Sequence, residues 1–170
     1  MPQEVRYAWL GLGAAQKKTP SAFNGILNGM YRILGKGVTT NFQLSAVGKK
    51  YFPSSFLGVF TANVKARDLM RHAKNGQFGY GIVNTDNGKG EHWVGLIYNG
   101  KNKFYIYDSF GRKSTTLLPQ LNRTIRRLGA TLKDTEYDRE QKVKEEDCGA
   151  RAMAWLIFAR RHGIREALKV

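Results

Sequence analysis

The sequence predicts an α+β domain with a central mixed or antiparallel sheet and one buried helix. Three features predict it. Residues 21–34 and 117–128 carry apolar side chains at helical spacing, 78–109 switches to short β-rich runs, and 148–161 is apolar over much of its surface, as an enclosed helix would be. The order of a helical start, three strands, a helix, a strand and a helix argues the α+β class. At 170 residues, with 42% hydrophobic and 24% charged side chains, one domain with a real core is expected.

Taken in order, residues 1–20 read as an arm ending at Pro20. Ser21 is expected to cap a helix running to about Leu34, with Phe23, Ile26, Leu27, Met30 and Leu34 on one face. Gly35-Lys36-Gly37 breaks it. A short helix is predicted over 42–49, and the run 51–56 starts a loop. Residues 64–73 read as a helix stopped by Lys74-Asn75-Gly76. Strands are predicted at 78–84, 92–98 and 103–109, the last two joined by the hairpin signal Asn99-Gly100-Lys101-Asn102. Leu117, Leu118, Leu121, Ile125 and Leu128 define the next helix and leave Arg123, Arg126 and Arg127 for its outer surface. A strand over 130–137 and the buried helix from Cys148 to Arg161 complete the reading. The chain divides into an N-terminal arm and helix, 1–40, and a main domain, 41–170.

The formal net charge is +15, with an isoelectric point near 10.1. Seven of the thirteen acids fall between Asp134 and Asp147; outside that stretch 25 bases face 6 acids, a net of +19. A polyanionic partner, most simply nucleic acid, is expected, against the plainer alternative of a charged, soluble surface. The single cysteine forbids an internal disulfide. The three histidines and one cysteine lack ligand spacing, so no metal site is expected. No run approaches the roughly 20 apolar residues of a membrane span. The N-terminus lacks the order of a secretory signal, and an intracellular or particle-enclosed setting is expected.

Four residues could carry chemistry. Cys148 lies where the apolar helix begins, and peptide dipoles at a helix N-terminus favour a thiolate. Asp147 could cap that helix, and Gly149 permits close approach of another backbone or a substrate. His92 begins one strand and Asp108 ends the next, so the carboxylate could fix the imidazole tautomer. Gln141, seven positions before Cys148, could donate an amide beside the Cys148 backbone N–H and complete a two-donor oxyanion site. Each has a plain alternative: a small core cysteine, a solvated strand-end histidine, a turn-capping aspartate and an exposed loop glutamine.

Jointly, His-Trp on a strand, Tyr-Asp-Ser on the next, then Gln and Asp-Cys-Gly before an apolar helix resemble the adenovirus maturation protease. More broadly they resemble the clan that includes the SUMO-type deconjugating proteases. The runs IVNTDNGKGEHW (82–93), YIYDSFG (105–111) and AVGKKYFPSSFLGVF (46–60) carry the resemblance, over roughly residues 41–160. It implies that Cys148 is the nucleophile, His92 the general base, Asp108 the orienter, Gln141 the oxyanion donor and Trp93 the aromatic neighbour of the histidine.

It further implies that 41–170 is a cysteine peptidase domain of adenain-like fold, a monomer that cleaves capsid or core precursors at glycine-containing sites. No cofactor is required, DNA is a possible activator, and the setting is a virion or viral assembly site. Ile33-Leu34-Gly35-Lys36-Gly37 matches the family's cleavage pattern, making Lys36–Gly37 a candidate self-cleavage bond that would remove 1–36. Three features depart from the adenovirus type. The acid is Asp rather than Glu, a disulfide-held activating peptide is impossible with one cysteine, and the first forty residues have no counterpart. The alternatives are a SUMO-type deconjugating protease and a non-catalytic basic nucleic-acid-binding protein.

Overall fold

In a computed structural model, the residues described are 14–15, 20–85, 92–142 and 145–170. Five strands form the central sheet, in chain order from one edge to the other. They are β2 (Phe56–Thr61), β3 (Gly79–Asn84), β4 (Trp93–Tyr98), β5 (Lys103–Tyr107) and β6 (Thr131–Asp134). β3, β4 and β5 are antiparallel neighbours, whereas β2 pairs with β3 and β6 with β5 in parallel. The sheet is therefore mixed, and the class is α+β. A separate short parallel pair joins β1 (Ala14–Ala15) to β7 (Asp138–Arg139).

Helices cover both faces. On one side lie α1 (Ser21–Leu34), α2 (Asn41–Tyr51), α6 (Cys148–His162) and α7 (Ile164–Ala167). On the other lie α3 (Ala66–Leu69) and α5 (Pro119–Arg127), with α4 (Ser114–Leu117) leading into α5. Every residue of β4 is buried. Trp93 and Ile97 pack toward α6, and Val94, Leu96 and Tyr98 toward α5. This two-sided burial explains why the strand reads as a continuous apolar run rather than an alternating one.

α6 is the central helix. Met153, Trp155, Leu156, Ile157 and Phe158 are all buried, each contributing about 1.5–3 kcal/mol of burial. Its Trp155 stacks on Tyr107 of β5 with centroids 5.3 Å apart. Gly95 makes room for it, since a Cβ there would sit 2.6 Å from the indole. The N-terminal helix belongs to the same core: Phe23, Leu27 and Met30 are buried, and Phe23 meets Tyr107 and Phe158 edge-on.

Several elements differ from the sequence reading. Pro20, not Ser21, occupies the cap position of α1, without a side-chain cap. α2 begins earlier than expected because Thr40 and Gln43 form a reciprocal capping box. α3 is one turn, far shorter than 64–73, and β6 stops at Asp134. β2 and α7 were not anticipated. No helix among the described residues is long and apolar enough to cross a membrane.

Candidate active site

β4 and β5 are antiparallel, with Gly95 opposite Tyr107. The start of β4 therefore lies beside the end of β5, and His92 and Asp108 occupy the flanking positions just outside the two strands. His92 Nε2 is 2.5 Å from Asp108 Oδ1. The side chains are 12% and 1% exposed respectively, so solvent barely competes for the pair. The Phe110 ring lies 4.9 Å from the imidazole, centroid to centroid, and further restrains it.

Asp108 is held from all sides. Oδ1 also accepts from the Phe110 backbone N–H at 3.1 Å, and Oδ2 accepts from the Arg112 backbone N–H at 3.0 Å and from Arg112 Nε at 2.9 Å. Burial alone would raise its carboxyl pKa. The hydrogen bonds and charges of His92 and Arg112 outweigh burial and hold it well below the usual carboxylate range. The carboxylate is thus a permanent acceptor that fixes Nε2 as the protonated ring nitrogen.

That leaves Nδ1 for the thiol. Burial would lower the imidazole pKa, but hydrogen bonds to Asp108 and Cys148 and the charges of both groups raise it above the usual value. The Trp93 backbone N–H donates to Cys148 Sγ at 3.4 Å. Cys148 is the first residue of a fifteen-residue helix and only 5% exposed. The His92 imidazole, the Trp93 backbone donor and the N-terminus of α6 all converge on it.

Gln141 is 1% exposed, not a loop residue in water. Its Nε2 donates to the Glu145 carbonyl at 2.6 Å, and Ser109 Oγ donates to its Oε1 at 2.6 Å. A carbonyl oxygen only accepts, so the amide orientation follows from chemistry. One N–H of the amide is thus taken by the Glu145 carbonyl. Gln141 is tied to the cluster through Ser109, next to Asp108, and through Glu145, three residues before Cys148. The Glu140 and Gln141 backbone N–H groups both donate to the Ser109 carbonyl, at 2.9 and 3.1 Å. Tyr107 Oη donates to Glu140 Oε2 and pins the same loop to β5.

Asp147 does not cap α6 through its side chain. Its Oδ2 accepts from Tyr31 Oη and from Arg151 Nε, the latter at 3.0 Å. Gly149 is required by Thr39: a Cβ at residue 149 would fall 1.9 Å from Thr39 Oγ1. Trp93 Nε1 donates to the Thr39 carbonyl at 3.1 Å. Lys36 and Gly37 lie exposed on the loop between α1 and α2, with Lys36 Nζ 5.1 Å from the Tyr31 ring centroid.

Sequence reasoning missed Arg112, Ser109, Tyr31 and Thr39. Arg112 follows Asp108 by four positions, a spacing that hints at pairing, and Ser109 belongs to the Tyr-Asp-Ser run. No local signal marks Tyr31 or Thr39. Among the described residues, open clefts lie away from the side chains of His92, Asp108, Gln141 and Cys148. One, between the β2–α3 turn and α5, is lined by Lys65, Arg123 and Arg127 with Asn63, Gln120 and Thr124, and no acid. Among the described residues no group of three or more His, Cys, Asp or Glu could hold a metal ion. Neither a scan against protein-family models nor a search of curated proteins gave a match.

Proposed function

We propose that the chain is a cysteine endopeptidase of the adenovirus-maturation type, acting on protein substrates at glycine-containing sites. One observation carries the reading: His92 is held between the buried carboxylate of Asp108 and the sulfur of Cys148, at the start of a buried helix. A structural thiol needs neither a carboxylate-oriented imidazole nor a backbone donor aimed at its sulfur.

In this reading the Cys148 thiolate attacks the scissile carbonyl carbon. The carbonyl oxygen becomes an oxyanion held by the Cys148 backbone N–H and the remaining Gln141 N–H. The imidazolium gives its Nδ1 proton to the leaving amine as the C–N bond breaks, leaving a thioester. Neutral His92 then takes a proton from water, whose oxygen attacks the thioester and releases the carboxylic acid. Asp108 keeps the imidazole tautomer throughout and is not itself protonated. The natural substrates are capsid or core precursors, and the basic surface supports nucleic acid as a partner and possible activator. The aspartate at position 108, rather than glutamate, favours a SUMO-type deconjugating protease as the second reading.

Incubation with a mixed pool of unfolded proteins, followed by mapping of new N-termini, tests this. Wild type should generate termini at glycine-containing sites and Cys148→Ala should generate none. SUMO- and ubiquitin-linked substrates in parallel separate the two readings. Equal cleavage by both forms would sink the assignment of Cys148.

A further inference from the structure

The N-terminal helix and the loop after it touch the residues that flank both reacting groups. Tyr31 Oη donates to Asp147, immediately before Cys148. Thr39 packs on Gly149, immediately after Cys148. The Thr39 carbonyl accepts from the indole of Trp93, the residue after His92 whose own backbone N–H reaches the sulfur. Residues 31–39 thus grip the nucleophile from both sides and steady the donor aimed at it.

Tyr31 and Thr39 pack against the core, and their polar contacts come in addition to that packing. The buried face of α1 is supplied by Phe23, Leu27, Met30 and Leu34, and Tyr31 stands beside that stripe, half-exposed. Thr39 is 1% exposed, and its hydroxyl has no hydrogen-bond partner among the described residues. Asp147 gives its side chain to Tyr31 and Arg151 in place of a helix cap. These are costs a purely structural segment would avoid.

The electrostatics give them a purpose. A carboxylate one residue from a thiolate opposes its formation. Tyr31 and Arg151 both donate to Asp147 Oδ2 and withdraw that charge from the sulfur. Burial and Asp147 hold the Tyr31 phenol above its usual pKa, so it remains a donor at any working pH.

We propose that Tyr31 is a positioning residue for Cys148, and that residues 31–39 are a built-in brace required for full reactivity of the sulfur. This rests on the cysteine-peptidase reading. It carries a consequence for the Lys36–Gly37 bond: scission there would separate Tyr31 from Thr39 and lower reactivity.

The lone cysteine makes the test direct, since iodoacetamide reports on Cys148 alone. Among the described residues, the charged and titratable groups nearest the sulfur in space or in chain are His92, with Asp108 and Arg112 behind it, then Glu145, Glu146, Asp147 and Arg151 on the α6 side, and Tyr31 from α1. Alkylation rates of the full chain are measured from pH 5 to 9 for wild type, Tyr31→Phe and His92→Ala, with melting temperatures alongside. Wild type should react at pH 6.5 well above a simple thiol, and His92→Ala should abolish that excess. Tyr31→Phe should move the acid limb up by about one pH unit and lower the rate at pH 6.5 about tenfold. A wild-type profile in Tyr31→Phe, with or without a lower melting temperature, overturns the brace and leaves the peptidase reading standing. A wild-type protein that reacts like a simple thiol and ignores His92→Ala overturns both.

Discussion

Gly149→Ala offers a worked test of how the nucleophile is seated. The new Cβ would lie 1.9 Å from Thr39 Oγ1, 3.1 Å from Thr39 Cβ and 3.3 Å from Trp93 Cδ1. Nonbonded carbon contacts settle at about 3.5–4.0 Å, so the hydroxyl must retreat by more than about 1 Å. It has little room, because the Thr39 carbonyl is fixed by the Trp93 indole and the residue is buried. Overpacking of this kind costs about 1–3 kcal/mol. For a chain of this size that lowers Tm by about 2–12 °C in thermal unfolding followed by circular dichroism. A shift of about 1 Å at a reacting group can also slow turnover about 100-fold. Thr39→Ala removes the offending oxygen, which has no hydrogen-bond partner among the described residues, and should change stability by less than about 1 kcal/mol. The double variant should regain most of the lost stability, giving a coupling of the sign expected for residues in contact. A Gly149→Ala protein as stable as wild type, or a double variant no better than the sum of the singles, would refute the packing of the loop on α6.

Gln141→Ala should fold yet turn over about 100- to 1000-fold more slowly, with the loss in kcat rather than KM; an unchanged kcat removes Gln141 from the oxyanion site. Burial pushes the Glu140 carboxyl up to about 8, aided by the charges of Asp138 and Asp108 and opposed by the Tyr107 hydrogen bond and Arg151. Its folded value exceeds the ordinary 4.5, so its stabilising contribution is complete below about 4.5 and lost as pH rises through about 8. Urea midpoints of wild type should therefore fall between pH 5 and 8 relative to Glu140→Gln, and parallel curves would contradict this. Replacing Arg123, Arg126 and Arg127 together with alanine should weaken duplex-DNA binding and reduce the slope of log K against log salt by about 2–3, if the cationic cleft beside α5 meets phosphates; an unaltered slope moves the contact elsewhere.

Much of the frame was legible because burial leaves periodic marks. β4 and β5 announced themselves through unbroken apolar runs around Asn99-Gly100-Lys101-Asn102, and the conformation there follows, with the Asn99 side chain accepting from three successive backbone N–H groups. α6 was visible because it is apolar on nearly every side. β2 was hidden: Pro53 precedes it, and Gly58, with φ 133°, interrupts its pattern at an irregular register beside Phe56. The predicted helix over 64–73 shrank to one turn because only Leu69 of α3 is buried, so few apolar contacts reward extending it.

The site was legible in part for the same reason. His92 and Asp108 meet because two adjacent strands share a hairpin, which sequence shows. The seat of Cys148 depends on Tyr31 and Thr39, whose partners lie 116 positions away for Tyr31 and 54 for Thr39. Contacts at such separation leave no trace in local spacing. The buried state of Gln141 was equally invisible, since its partners are a serine side chain on another element and a main-chain carbonyl.

Mass spectrometry of the intact protein after exposure to a glycine-terminated peptide vinyl sulfone tests the central claim most directly. A thiol activated by His92 should take up one probe molecule, mapped to Cys148, far faster than free cysteine does, and His92→Ala should remain unmodified over the same interval. Labelling no faster than free cysteine, or labelling that persists undiminished without the imidazole, would contradict the account.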